Sequence, residues 1–110
     1  MVRAASERKV KNLIVMDVKG VSSFSDYIII MSGTSDRQVI RSAEHIKETL
    51  SKEKIYPLGI EGMREGHWVL MDYGDVIAHL FLEDTRLFYD LEGLWPDVPV
   101  HRYNEEGKEV

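Results

Sequence analysis

The chain has 110 residues, a formal net charge of −5 at pH 7 and no cysteine. This length suits one domain, so we expect residues 1–110 to form a single unit. The absence of cysteine excludes a disulfide framework and a thiolate zinc site. The acidic balance argues against a phosphate-binding surface, and it favours a basic protein partner over nucleic acid recognised by its sequence.

No run approaches the roughly 20 apolar residues that cross a bilayer, and Met1 to Lys11 are too charged for a signal peptide. We therefore expect no membrane contact. The lack of cysteine also agrees with a reducing compartment, so the sequence favours a soluble protein of the cytoplasm.

Residues 2–9 are predicted to form a short helix, because they are rich in alanine and other good helix formers. Two strands are predicted next, from Asn12 to Val18 and from Asp26 to Ser32. The second is almost entirely apolar and contains three consecutive isoleucines. Such runs are typical of central strands that are covered on both faces.

A longer helix is predicted to begin after Ser35 and to end near Glu53. Ser35 is a natural N-cap, and Gln38 three residues later gives the pattern of a capping box. Apolar residues then recur with the spacing of one helical face: Val39, Ile40, Ala43, Ile46 and Leu50.

A third strand is predicted over residues 55–61, and a β-hairpin is predicted from Trp68 to Phe81 with its turn at Tyr73-Gly74-Asp75. Strand alternation gives this hairpin two faces. One face is uniformly apolar and is predicted to lie in the core: Val69, Met71, Tyr73, Val76, Ala78 and Leu80. The other mixes large apolar groups with acids and a histidine, as partner surfaces do: Trp68, Leu70, Asp72, Asp75, Ile77, His79 and Phe81.

The segment from Glu83 to Leu94 predicts a short helix. Pro96 and Pro99 predict an extended tail over residues 96–110, after a core of about residues 10–95. Together the elements predict an α/β (α+β) fold with a mixed five-stranded sheet. Because one long helix covers only one face of such a sheet, the other face is expected to need a partner or a second copy.

Motifs for catalysis are weak. Met31 to Asp36 joins a strand to a helix N-terminus, but it lacks the lysine and further glycines of a phosphate loop. The same topology resembles nucleotidyltransferases, whose chemistry needs two acids alternating on one strand. Glu44 and Glu48 lie instead on the predicted helix, and the four histidines do not converge. We therefore predict no catalytic residue, no metal and no cofactor.

Three blocks of sequence resemble a known family. They are DYIIIMSGTSDRQ at residues 26–38, GHWVLMDYGDVIAHLF at residues 66–81 and YDLEGLW at residues 89–95. In this order and without long gaps, they resemble the ribosomal silencing factor family (RsfS, or Iojap-like). The likeness runs from about Val10 to Trp95. One departure is the short segment before the first strand, since many members begin with a longer helix.

The resemblance implies a nucleotidyltransferase-like topology without the catalytic acids, and a homodimer when free. It also implies binding to the large ribosomal subunit through ribosomal protein L-fourteen. Such binding would block association with the small subunit and repress translation under nutrient limitation. The partner-binding residues that it implies are Trp68, Asp72, Tyr73, Asp75, His79, Phe81, Leu91, Leu94 and Trp95.

Overall fold

A computed structural model describes all residues 1–110 as one sheet with helices on both of its faces. No helix is long and apolar enough to cross a membrane. The elements are α1 (Val2–Glu7), β1 (Lys11–Asp17), β2 (Tyr27–Gly33), α2 (Asp36–Ser51), β3 (Gly59–Glu61), β4 (Trp68–Asp72), β5 (Val76–Leu82), α3 (Glu83–Tyr89), a 3₁₀ helix (Leu91–Leu94) and β6 (Val100–Tyr103).

The sheet is mixed, as predicted, with the strand order β3-β4-β5-β2-β1-β6. Its central pair, β2 and β5, is parallel, whereas every other neighbouring pair is antiparallel. The predicted count of five strands is wrong, because the tail adds a sixth strand, Val100–Tyr103, beside β1. This edge strand is short and mixes polar with apolar residues. It is held by backbone hydrogen bonds, which leave little trace in a sequence pattern.

The long helix α2 is capped as predicted. The Ser35 side chain accepts a hydrogen bond from the Gln38 backbone N–H at 3.1 Å. In a capping box the Gln38 side chain would accept a hydrogen bond from the backbone N–H of Ser35. Here Gln38 Oε1 accepts instead from the backbone N–H of Thr34, one residue earlier, at 2.7 Å. The helix ends at Ser51, two residues before the predicted end.

One face of the sheet is covered by α1 and α2, which pack against the apolar hairpin face that the alternation predicted. Fourteen buried residues form this core cluster. The four from the hairpin are Val69, Met71, Ala78 and Leu80, with Tyr73 and Val76 packed at its margin.

The opposite face has a smaller core of its own, formed by the buried residues Ile14, Met16, Val18, Ile28, Ile30 and Phe81. The expectation that this face needs an external partner is wrong in part. The chain covers it with its own C-terminal segment, because Leu91, Trp95 and Val98 pack against this cluster beside Trp68. The sequence did not predict that residues 91–98 cover this face, because this segment is short and has no regular apolar pattern.

Candidate partner-binding surface

The hairpin brings Trp68, His79 and Phe81 together at one end of the sheet, on the face opposite α2. In the β4–β5 register Trp68 lies opposite Phe81, and Leu70 lies opposite His79. Side chains directly opposite in an antiparallel pair are about 5 Å apart, so their rings meet. The predicted alternation is therefore confirmed for both faces of the hairpin.

The Trp68 ring is the centre of an aromatic cluster. Its centroid lies 4.8 Å from that of Phe81, with an interplanar angle of 29°, and 4.8 Å from that of Tyr89 at 45°. Its indole Nε1–H donates a hydrogen bond to His79 Nδ1 at 3.0 Å. Trp68 is only half-buried, so the cluster reaches from the core to the surface.

His79 lies beneath this surface and not on it, because only 7% of the residue is exposed. Burial lowers the pKa of the His79 imidazole to about 4, since the charged form would lose its hydration. The ring is therefore neutral near pH 7. The sequence placed His79 among residues that touch a partner, and its burial leaves little of it for such a contact.

Arg86 fixes α3 to the sheet below it. Its Nη1 atom donates to the Asn12 carbonyl at 2.7 Å and to Ser32 Oγ at 2.8 Å. Its Nε atom donates to Glu92 Oε2 at 3.1 Å. A buried guanidinium with three acceptors from three segments holds the helix in one orientation. That orientation determines which side chains of α3 face outward.

The outward side of α3 is strongly apolar. Leu87 and Phe88 are 79% and 80% exposed, and Tyr89 beside them is also exposed. Phe88, Tyr89 and Trp68 line a cleft of about 400 Å³, and the Asp84 side chain contributes a carboxylate to it. We call Trp68, Phe88 and Tyr89, which line this cleft, the aromatic patch. Exposed apolar groups gathered in this way mark interaction surfaces.

The partner-binding residues implied by the resemblance do not include Leu87, Phe88 or Tyr89. A signal was present, because three large apolar residues in succession cannot all face one side of a helix. In a helix of only seven residues, at least one of them must face solvent or a partner. The periodicity of so short a segment gave no way to choose which.

The nine residues implied by the resemblance do not form one surface. Six lie around Trp68, Asp72 and Asp75 form a second group, and Tyr73 lies on the other side of the sheet. Trp68, His79 and Phe81 form the aromatic cluster, and Leu91 and Trp95 pack on the same face, while Leu94 is exposed next to them. Phe81 needs a correction. Its side chain has no exposed surface, so it supports the patch from below and does not touch a partner in this conformation.

The second group lies at the hairpin turn, about 14 Å away along the strands. There Asp72 Oδ1 accepts from the Gly74 backbone N–H at 2.8 Å, which stabilises the turn. The Asp75 carbonyl accepts from the backbone N–H groups of Asp26 and Tyr27 at 2.8 and 3.0 Å. Asp72 through its side chain and Asp75 through its backbone carbonyl therefore stabilise the loops at this end, and neither residue is adjacent to Trp68.

Tyr73 faces the other side of the sheet. It lines an open groove of about 370 Å³ at the margin of the larger core, and all ten lining residues are hydrophobic. Its hydroxyl is buried without a hydrogen-bond partner, and burial raises the pKa of the Tyr73 phenol above its ordinary value. The structure thus does not bring Tyr73 to the surface that contains Trp68.

The turn before α2 is not arranged as an open anion site. The backbone N–H groups of Gln38, Thr34 and Arg37 already donate to side chains of the same turn. An incoming phosphate would have to displace those acceptors. No group of three or more histidine, aspartate or glutamate side chains is placed to hold a metal ion.

The fold and the patch together define a small mixed α/β domain that presents aromatic side chains at one end of its sheet. A family model described as "Ribosomal silencing factor during starvation" matches residues 1–110. The ribosomal silencing factor RsfS of Bacillus subtilis is 38% identical over 97 residues, which cover 88% of this chain and 82% of that protein. The chain belongs to the ribosomal silencing factor family, as the resemblance predicted.

Two further comparisons agree with this assignment. A crystal structure of a protein from Chromobacterium violaceum superposes with a TM-score of 0.84 at 35% identity, over 86% of this chain and 79% of that one. A mouse protein named "Mitochondrial assembly of ribosomal large subunit protein 1" is 29% identical over 86% of this chain, although the match covers only 43% of the mouse protein. The fold is therefore found in solved relatives.

Proposed function

We propose that this chain binds the large ribosomal subunit through ribosomal protein L-fourteen and blocks association with the small subunit. In doing so it would repress translation under nutrient limitation. It acts by occupying a surface and performs no catalysis, and it works in the cytoplasm. Family membership supports this proposal, together with a relative whose name refers to the large ribosomal subunit.

The single observation that favours a protein contact is the exposed aromatic patch. Phe88 and Tyr89 leave more than half of their surface open to solvent, and they line one cleft with the half-buried Trp68. Aromatic anchors at the centre of a protein interface contribute most of its binding energy. Large apolar side chains are seldom left exposed together on a small domain, because they promote aggregation when no partner covers them.

The charges around the patch favour a basic partner. Glu83, Asp84 and Asp90 are exposed on or next to α3, and the whole chain has a net charge of −5. The nearby Arg86 is buried and already paired with Glu92, so it offers no free cation to a phosphate. Carboxylates around an apolar centre accelerate association with a positively charged protein and disfavour bare RNA.

Co-sedimentation tests this proposal directly. The protein is expected to sediment with purified large subunits and not with small subunits, and to reduce formation of the joined particle. Phe88→Ala should weaken this binding by about tenfold or more. The matched control is Phe24→Ala, because Phe24 is 88% exposed on the loop between β1 and β2, away from the patch. Unchanged subunit joining at a large excess of wild-type protein would contradict the proposal.

We also propose that the free protein is a homodimer. Exposed apolar residues on both faces of the sheet support this, because free chains can cover them by pairing. Sedimentation equilibrium of the wild type should give twice the mass of one chain. Phe88→Ala in the patch and Ile55→Ser in the Tyr73 groove would show which face forms the contact, since only one should shift the protein to a monomer.

A further inference from the structure

The hydrogen bond between Trp68 and His79 has a definite polarity. An indole N–H can donate and cannot accept, so His79 Nδ1 must be the acceptor in the 3.0 Å contact. Nδ1 is therefore without a proton, and the proton of the neutral ring is on Nε2. The opposite tautomer, and the charged ring, would each place two N–H groups against one another.

The contact also fixes a side chain that is otherwise free to reorient. Trp68 is half-buried and stands between two rings, with Phe81 beneath it and Tyr89 beside it. Ring stacking alone permits an indole to slide or to rotate by 180° about the end of its side chain. A hydrogen bond to a buried acceptor selects one orientation, because the alternative would leave His79 Nδ1 buried without a partner.

We propose that His79 is a positioning residue for partner binding: it holds the Trp68 indole in the one orientation that the partner recognises, without touching the partner itself. This inference rests on the proposed function of the aromatic patch. It also specifies the partner's chemistry. Because the only donor of Trp68 is used inside the chain, the ring presents hydrocarbon and its π-face. The complementary group is an apolar side chain or a cation, not a hydrogen-bond acceptor.

No charged side chain disturbs this arrangement. The charged residues on this face and on the elements that pack over it are Glu61 of β3, Asp72 of β4, Arg102 of β6, Glu83, Asp84 and Arg86 of α3, and Glu92 of the 3₁₀ helix. None of them contributes to the lowered pKa of His79, whose cause is burial alone. The acceptor at Nδ1 is thus present throughout the neutral range.

A pair of variants separates positioning from bulk packing. His79→Leu removes the acceptor and keeps an apolar group, whereas His79→Asn places an oxygen close to the position of Nδ1. The indole N–H resonance of Trp68 is read by nitrogen-15 NMR of the free protein, in a Trp95→Phe background that leaves one indole signal. We expect this proton to exchange slowly with water in the wild type, faster in the leucine variant, and slowly again in the asparagine variant.

Binding to purified large subunits is measured in parallel. The leucine variant should bind about tenfold more weakly, and the asparagine variant should recover much of that loss. Should the leucine variant not fold, acid titration of the wild type provides the same information. Protonation of His79 should release the indole and change its resonance with a midpoint near pH 4.

The possible failures can be distinguished. An indole signal that is the same in wild type and His79→Leu would show that the hydrogen bond is absent in solution, and would overturn the inference whatever the ribosome does. A changed indole signal with unchanged binding would overturn positioning while the proposed function stands. If the wild type itself does not bind large subunits, the proposed function fails, and the positioning role fails with it.

Discussion

Arg86 and Glu92 form a partly buried ion pair, with Arg86 Nε 3.1 Å from Glu92 Oε2. The pair spans the junction between α3 and the 3₁₀ helix, where Asp90 adopts a left-handed conformation with φ of 44°. The same guanidinium also bonds to β1 and β2. One side chain therefore determines where the aromatic patch lies relative to the sheet.

Arg86→Leu should lower the free energy of unfolding by about 3 kcal/mol, because it leaves the Glu92 carboxylate and the Ser32 hydroxyl without their partner. It should also weaken large-subunit binding, since α3 loses its anchor. Urea denaturation measures the first effect. The control is Lys52→Leu, which removes an exposed ion pair with Glu48 and should change stability by less than about 0.5 kcal/mol. Equal effects for the two variants would contradict a structural role for Arg86.

Truncation of Phe81 and truncation of Phe88 should have very different effects on the free energy of unfolding. Phe81→Ala leaves a cavity in the smaller core, and should lower the free energy of unfolding by about 3–5 kcal/mol. Phe88→Ala removes an exposed ring and should leave stability within about 0.5 kcal/mol of the wild type. Denaturant melts of both variants, beside their binding to large subunits, test the difference. A small stability loss for Phe81→Ala would place its ring on the surface after all.

Acid should destabilise the fold through His79. Its pKa is about 4 in the folded chain and ordinarily 6.5, so the unfolded chain binds the proton more readily. His79 therefore has its full stabilising effect above pH 6.5, and this effect is lost as the pH falls toward about 4. The loss should be about 1.4 kcal/mol per pH unit within that window. In denaturant melts of His79→Asn, the free energy of unfolding should depend less on pH between about pH 4 and pH 6.5. Phe24→Ala, at an exposed position without a titratable group, should retain the wild-type slope.

Gly62 is predicted to tolerate no side chain. It has a φ of +88°, and an added Cβ would collide with the carbonyl oxygen of Trp68. Gly62→Ala should therefore lower the free energy of unfolding by roughly 2 kcal/mol or more, as strain and a backbone clash combine. Gly59→Ala is the matched control, because Gly59 has an ordinary φ and open space around it. Equal melting temperatures for the two variants would refute the prediction.

The parts of the fold that the sequence predicted are those with a repeated pattern. The hairpin faces followed from period-two alternation from Trp68 to Phe81, and α2 followed from its cap at Ser35 and its apolar stripe. Strand β6 and the cover over the smaller core were missed, because their contacts join residues that are distant in sequence. No local pattern relates Val100 to Met16, which it opposes in the sheet.

The candidate site was predicted less well than the fold. Trp68 was identified correctly as part of a mixed face, but alternation could not reveal that Phe81 beneath it has no exposed surface. The depth of a side chain depends on what packs over it, and the cluster that contains Phe81 is covered by Trp68 and by the segment with Leu91, Trp95 and Val98. Phe88 was missed because a helix of seven residues is too short for its periodicity to be informative.

The pairing of β6 (Val100–Tyr103) with β1 (Lys11–Asp17) joins two segments that are far apart in the sequence. During synthesis, β1 keeps one bare edge until residues 100–103 are available, and unpaired strand edges are the places where chains join wrongly. The sheet therefore becomes complete only after residues 100–103 have been synthesised, however early its other strands pair.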